Sequence, residues 1–157
     1  MLVKKSGDCR RTFLILLLYL CSMAKLLGID YGKKRTGIAE TDDLQIVASG
    51  LTTVDTSQLW DFLTAYLQKN PVEKIVIGES FTLEGKHNPI EKDIRDFIEK
   101  FNKRYPQIEV IREDERYTSK MAFDAMIQGG LKKKARRNKA MIDQVSAALI
   151  LQAYLYK

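Results

Sequence analysis

Histidine and cysteine are nearly absent, and that removes most of the usual ways of holding a metal. The chain has one histidine, His87, and two cysteines, Cys9 and Cys21. Both cysteines fall near the N-terminus, so the remainder can rest neither on an internal disulfide nor on thiolate-bound zinc. A lone histidine excludes a histidine-rich centre. Any metal in the main body must therefore sit on oxygen. Proline and glycine are also scarce, three and nine in 157 residues, and 29% of residues are charged, which speaks against low complexity. No apolar run reaches the about 20 residues that span a bilayer, so no membrane partner is expected. What is present, 45% hydrophobic residues, suffices for one core of ordinary size.

The formal net charge is +6, and half of it comes from residues 1–22, where Lys4, Lys5, Arg10 and Arg11 face only Asp8. This basic start and the apolar run over 13–21 resemble the first two regions of a secretory signal. The competing reading takes Met23 as the true start and residues 1–22 as an upstream extension. The second is preferred, because residues 25–30 already read as a core strand, with no linker to accommodate a cleavage site. The expected domain is thus 23–157, in a reducing cytoplasm.

Within that domain, a short apolar run ends at Asp30, and a second, over 36–40, follows a turn containing Gly32. This is a hairpin pattern. A third strand is expected over 45–54, then a helix capped by Thr56 or Ser57 with Leu59, Phe62, Leu63, Tyr66 and Leu67 at helical spacing. The continuous apolar run over 74–78 suits a strand buried on both faces. After Pro89, a helix places Ile90, Ile94, Phe97, Ile98 and Phe101 on one face. A fifth strand is expected over 108–111, then a helix closed by Gly129-Gly130 and a last one over 139–154. Three consecutive strands followed by alternating helix and strand predict a mixed α/β sheet, with an antiparallel hairpin and parallel later strands.

Three acidic positions recur where such a sheet builds sites: Asp30 ending the first strand, Asp114-Glu115 after the fifth, and Asp143 early in the last helix. Asp30 can also be read as a turn residue. Asp143 stands among Ala140, Ile142, Ala147, Ala148 and Ile150, on a helix pressed to the sheet, where a carboxylate needs a positive partner. That partner is either a neighbour, Arg137 or Lys139, or a divalent cation shared with Asp30 and one of Asp114 or Glu115. Hard oxygen ligands select Mg²⁺ or Mn²⁺. Such a cluster supports phosphodiester hydrolysis by paired ions, with no histidine or cysteine needed. Beside it, Lys132, Lys133, Lys134, Arg136, Arg137 and Lys139 form a dense basic run, and Lys33, Lys34 and Arg35 directly follow Asp30. Charge runs are often only solvated faces; next to clustered acids they also suit backbone phosphates, without sequence specificity.

Together the segments 27–39 (Leu-Gly-Ile-Asp-Tyr-Gly-Lys-Lys-Arg-Thr-Gly-Ile-Ala), 114–119 (Asp-Glu-Arg-Tyr-Thr-Ser) and 143–155 (Asp-Gln-Val-Ser-Ala-Ala-Leu-Ile-Leu-Gln-Ala-Tyr-Leu) resemble the YqgF/RuvX family. Its members are described as Holliday junction resolvases and as nucleases that process pre-16S rRNA. The resemblance covers nearly all of 23–157 in order. It implies an RNase H-like fold, with catalytic acids matching Asp30, Asp114, Glu115 and Asp143, the metal on Asp30, Glu115 and Asp143, and Arg116 and Thr118 on the nucleic-acid side. The loop after the fourth strand departs from the family's Gly-Leu-Pro-Leu and reads Gly-Glu-Ser-Phe over 78–81, so Glu79 competes with Asp114 and Glu115 as the third ligand.

Two rival functions share these features. A nucleotide-binding ATPase with the same core needs two such domains, and about 135 residues supply one. A non-catalytic RNA- or ribosome-associated module would keep the basic patch without cleavage. The substrate stands open between structured RNA and branched DNA, and the assembly between monomer and homodimer.

Overall fold

The computed structural model describes residues 24–81, 88–114, 118–130 and 138–157. The extension 1–22, most of the loop after the fourth strand, Glu115 and Arg116, and the basic stretch 132–137 lie outside the described residues. The elements run β1 (Lys25–Tyr31), β2 (Arg35–Thr41), β3 (Ala48–Asp55), a 3₁₀ turn (Thr56–Gln58) leading into α1 (Leu59–Lys69), β4 (Val72–Glu79), α2 (Glu91–Arg104), β5 (Glu109–Asp114), α3 (Thr118–Gln128) and α4 (Lys139–Leu155).

The sheet has the order β3-β2-β1-β4-β5. β2 is antiparallel to both its neighbours, whereas β1, β4 and β5 run parallel. With helices on both faces, this is the mixed α/β sheet, antiparallel hairpin first and parallel strands after, that the order of apolar runs predicts. Alternation along the central strands sends side chains into two cores. Leu27, Ile29, Ile38, Ile75 and Ile77 meet Leu59 and Leu63 of α1 and Ile94, Phe97 and Phe101 of α2. Leu26, Ala39 and Val76 meet Ala147, Ile150 and Leu151 of α4 on the other face. Burial on both faces explains why β4 reads as an unbroken apolar run.

Three local expectations need correction. β3 begins at Ala48, not Gln45, because Asp42 Oδ1 accepts the amides of Ile46 and Val47 at 2.7 and 3.0 Å and closes the preceding turn; such a side-chain turn competes with the ladder. Neither Thr56 nor Ser57 caps α1: the helix follows from the 3₁₀ turn, and neither start has a side-chain cap. Thr56 Oγ1 instead donates to the Gly32 carbonyl at 2.6 Å, and its amide to the Lys34 carbonyl at 3.0 Å, pinning the β1–β2 turn. β5 extends beyond its apolar stretch to Asp114, pairing Arg112, Glu113 and Asp114 with Ile77, Gly78 and Glu79. Ladder bonds are backbone bonds, so polar side chains at the strand end do not stop them.

α4 decides the geometry of the site. It lies across the sheet so closely that a Cβ at Gly37 would stand 2.0 Å from the Asp143 carbonyl, and one at Gly28 would stand 2.6 Å from that of Ala147. No side chain fits either gap, so these two glycines permit the contact. Further along, Thr53 Oγ1 donates to the Ala140 carbonyl at 2.7 Å, and Gln152 Oε1 accepts the Ala48 amide at 2.9 Å. The helix is thus tied to β3, β2 and β1 over several turns.

Candidate active site

Asp30 stands sixth in β1, directly opposite Gly37 of β2 in the antiparallel register. Opposed residues share a face, and their Cβ positions lie about 5 Å apart. Gly37 faces α4 at Asp143, and Gly28, two residues before Asp30, faces α4 at Ala147. Alternation therefore puts the half-buried Asp30 on the α4 face, beside the turn of α4 that carries Asp143. Residues 113 positions apart in sequence are thereby set on one face of the sheet at the C-terminal end of β1, where parallel strands build their sites.

Of the two expected neighbours of Asp143, Arg137 lies outside the described residues, and among the described contacts the carboxylate pairs with Arg35 rather than Lys139. Its Oδ2 accepts Arg35 Nε at 2.9 Å, with the carboxylate side chain 24% and the guanidinium side chain 38% exposed. The helix N-terminus offers it little. Asn138 is the N-cap, its side chain accepting the Ala140 amide at 3.1 Å, and no acid stands in the first turn; the dipole's influence is confined to that turn.

The other acids divide between the two faces. Asp114 is exposed at the end of β5, in register with Glu79. Both fall in the alternation of Arg112 and Ile77, on the α2 side of the sheet, and Glu79 borders a hollow lined by Glu91, Arg95, Ile98 and Arg112. Glu113 falls on the α4 side. Only 5% exposed, it receives Lys157 Nζ on Oε2 at 2.7 Å. Its partner Gly78 stands next to the Asp30 position, so Gly37, Asp30, Gly78 and Glu113 form one row across the sheet. Reading the sequence missed Glu113; the signal was that an acid two residues beyond Ile111 shares its face, and Ile111 packs on the α4 core. Among the described residues, no group of three or more acids stands close enough to hold a metal ion. Glu115, expected as the third ligand, lies outside them.

The basic residues are placed in part. Lys33 and Lys34 are exposed on the pinned turn immediately after β1, and Lys139 is exposed at the first position of α4. Turn and helix start flank the Asp30 and Asp143 end of the sheet. Arg35 opens β2 and reaches inward to Asp143 rather than outward. Thr118 begins α3. Arg116, Lys132, Lys133, Lys134, Arg136 and Arg137 lie outside the described residues. At the same strand ends on the α2 face, buried Glu91 forms an ion pair with Arg112 Nη1 at 2.7 Å and accepts the Ser80 amide at 3.2 Å, while Arg112 Nη2 donates to the Gly78 carbonyl at 2.9 Å. This network ties α2 to the ends of β4 and β5. No helix among the described residues is long and apolar enough to cross a membrane.

Known proteins share this chain's sequence over the same span. The family model described as "RuvX: Holliday junction resolvase" matches residues 24–157. A protein of Christiangramia forsetii named "Putative pre-16S rRNA nuclease" is 48% identical over 135 residues, covering 86% of this chain and 100% of the relative. Proteins of the same name from Phocaeicola vulgatus and Flavobacterium johnsoniae are each 50% identical over 133 residues, covering 85% of this chain and 96% of theirs. Among solved structures, Thermus thermophilus RuvC in complex with a Holliday junction substrate aligns with a TM-score of 0.46 at 18% identity, over 85% of this chain and 94% of that one.

Proposed function

Because the chain belongs to the RuvX family, we propose that it is a metal-dependent endonuclease that cuts the phosphodiester backbone of precursor 16S rRNA, with Asp30 and Asp143 at its centre. The observation that supports this reading is the seating of the Asp143 backbone on Gly37, the residue directly opposite Asp30 in the β1–β2 register. Two carboxylates from distant segments, on one face and at one strand end, suit a hard divalent cation, and no nitrogen or sulfur donor is needed. Asp30 and Asp143 would hold Mg²⁺ or Mn²⁺, with Glu115 as the third ligand. The ion's chemistry there is to acidify a water and stabilise charge on phosphate oxygens.

The chain's own residues supply the rest. The turn pinned by Thr56 displays Lys33 and Lys34, and the start of α4 displays Lys139. These cations flank the acids and would lay the nucleic-acid backbone across them, with Arg116, Thr118 and the run over 132–137 extending the contact. Such contacts position the phosphates and read no bases. The choice of RNA is supported by the relatives at about half identity, which are named for pre-16S rRNA. A Holliday junction remains the second substrate to test, since the family model is described by it. A cytoplasmic site of action follows from the proposed substrate.

The test is cleavage of end-labelled pre-16S 5′ leader RNA and of a four-way DNA junction, with Mg²⁺, by the parent protein, Asp30→Asn and Asp143→Asn. Metal-dependent cutting of the RNA by the parent alone, with binding retained in the variants, is the expected result. Preferential cutting of the junction would move the substrate to DNA. Binding without any metal-dependent cutting would make the protein a non-catalytic module.

A further inference from the structure

Among the described residues, Arg35 is the cation in contact with Asp143, through the Nε to Oδ2 bond of 2.9 Å, and it comes from the strand that also carries Gly37. The flanking cations Lys33 and Lys34 are exposed, whereas Arg35 turns in from the next position. Its backbone is held by the β2 ladder opposite Asp55, so the guanidinium reaches the site on a fixed stem. At 38% exposure it is not locked in, and a side chain of this length can leave the carboxylate without moving the strand. A divalent ion drawn to Asp143 meets a resident positive charge on one of its two oxygens. Two cations cannot share that oxygen at close range without strong repulsion.

Resting on the nuclease reading above, we propose that Arg35 is an exchangeable counter-ion: it holds Asp143 until a divalent cation takes the carboxylate, and then transfers its guanidinium to a backbone phosphate of the bound nucleic acid. Arg35 is thus a positioning and recognition residue whose partner changes with metal binding. Two consequences separate this role from that of an ordinary surface cation. Removing Arg35 strengthens metal binding, because a competitor is gone. It also removes one phosphate contact, but only when metal is present.

The full chain is titrated with Mn²⁺ alone and followed by the electron paramagnetic resonance signal of free Mn²⁺. Removing a partly exposed ion pair of this kind should tighten binding roughly two- to five-fold in Arg35→Gln. The gain should vanish when Asp143→Asn is added, and Arg35→Lys, which keeps a charge with altered geometry, should fall between. Equal or weaker Mn²⁺ binding by Arg35→Gln, with Asp143→Asn still impairing it, overturns the proposal and leaves the nuclease reading standing. Mn²⁺ binding unaffected by Asp143→Asn defeats both. If Arg35→Gln is not folded by circular dichroism, the Arg35→Lys titration is decisive by the same criterion. In parallel, binding of a labelled RNA hairpin is measured against salt in EDTA and in Ca²⁺. Parent and Arg35→Gln should share one slope in EDTA, and in Ca²⁺ the parent's slope of log affinity on log salt should be steeper by about 0.7 to 0.9, the signature of one extra phosphate contact. Identical slopes in both conditions contradict the transfer to phosphate.

Discussion

Adding a single methyl group at Gly37 should cost the protein both stability and activity. The new Cβ in Gly37→Ala would sit 2.0 Å from the Asp143 carbonyl oxygen, 2.3 Å from its carbonyl carbon and 3.1 Å from its Cα. Non-bonded carbon atoms settle at about 3.5 to 4.0 Å, so α4 must lift by more than about 1 Å. The obstacle is helix backbone, which cannot rotate aside as a side chain can, and α4 is tied to β3 at Thr53 and Ala48 on either side of the contact. Overpacking of this kind typically costs about 1 to 3 kcal/mol, and this instance belongs at the upper end. The carboxylate of Asp143 would move with the helix and away from Asp30. A misplacement of about 1 Å can cost on the order of 10²-fold in turnover. Urea denaturation followed by circular dichroism gives the stability change. Single-turnover RNA cleavage, under conditions where the variant is fully folded, gives the rate. Gly129→Ala is the control, because its Cβ would approach no closer than 3.3 Å to the Ala125 carbonyl. If Gly37→Ala matches the parent within about 0.5 kcal/mol, the spread of ordinary surface changes, and cleaves at the parental rate, the seating of α4 on this glycine is not what brings the acids together.

Glu91→Ala should destabilise the protein by about 3 kcal/mol, since it strands the Arg112 charge at a nearly closed strand end; chemical denaturation measures it, and a loss under 0.5 kcal/mol would show the pair to be dispensable. Thr41→Val removes the buried acceptor of the Leu26 amide, a bond of 2.9 Å, and should cost about 1 to 3 kcal/mol; hydrogen exchange of that amide should accelerate, and unchanged protection would argue against the contact. The Asp42 carboxyl is held below its ordinary range, chiefly by the Val47 and then the Ile46 amides. A lowered folded value means that this support is complete above the ordinary carboxylate range and is lost as pH falls through the depressed one. Carbon-detected nuclear magnetic resonance titration of Asp42 should show that depression, and an ordinary midpoint would contradict the closed turn.

Much of this architecture was legible in the residues, and the exceptions have physical reasons. Asp30 and Asp143 could be singled out because each is an acid set against apolar neighbours that demand burial. The glycines of the segment 27–39 carried more than a turn: Gly32 serves the hairpin, whereas Gly28 and Gly37 admit a helix more than 100 residues downstream, which no local pattern announces. Arg35 looked like one of three equivalent surface cations, and only the fold reveals that it turns inward to a partner 108 positions away. Glu113 was passed over because the apolar stretch stops at Ile111 while the backbone ladder does not. Thr56 has the composition of a helix cap but bonds to Gly32, because tertiary contact supplied a better acceptor than the helix.

Anomalous diffraction from crystals grown with Mn²⁺ tests the centre of this account most directly. A peak within direct coordination distance of oxygen atoms from both Asp30 and Asp143, with Arg35 withdrawn from Asp143, is the predicted result. Ordered Mn²⁺ bound elsewhere, with neither carboxylate among its ligands, would contradict it.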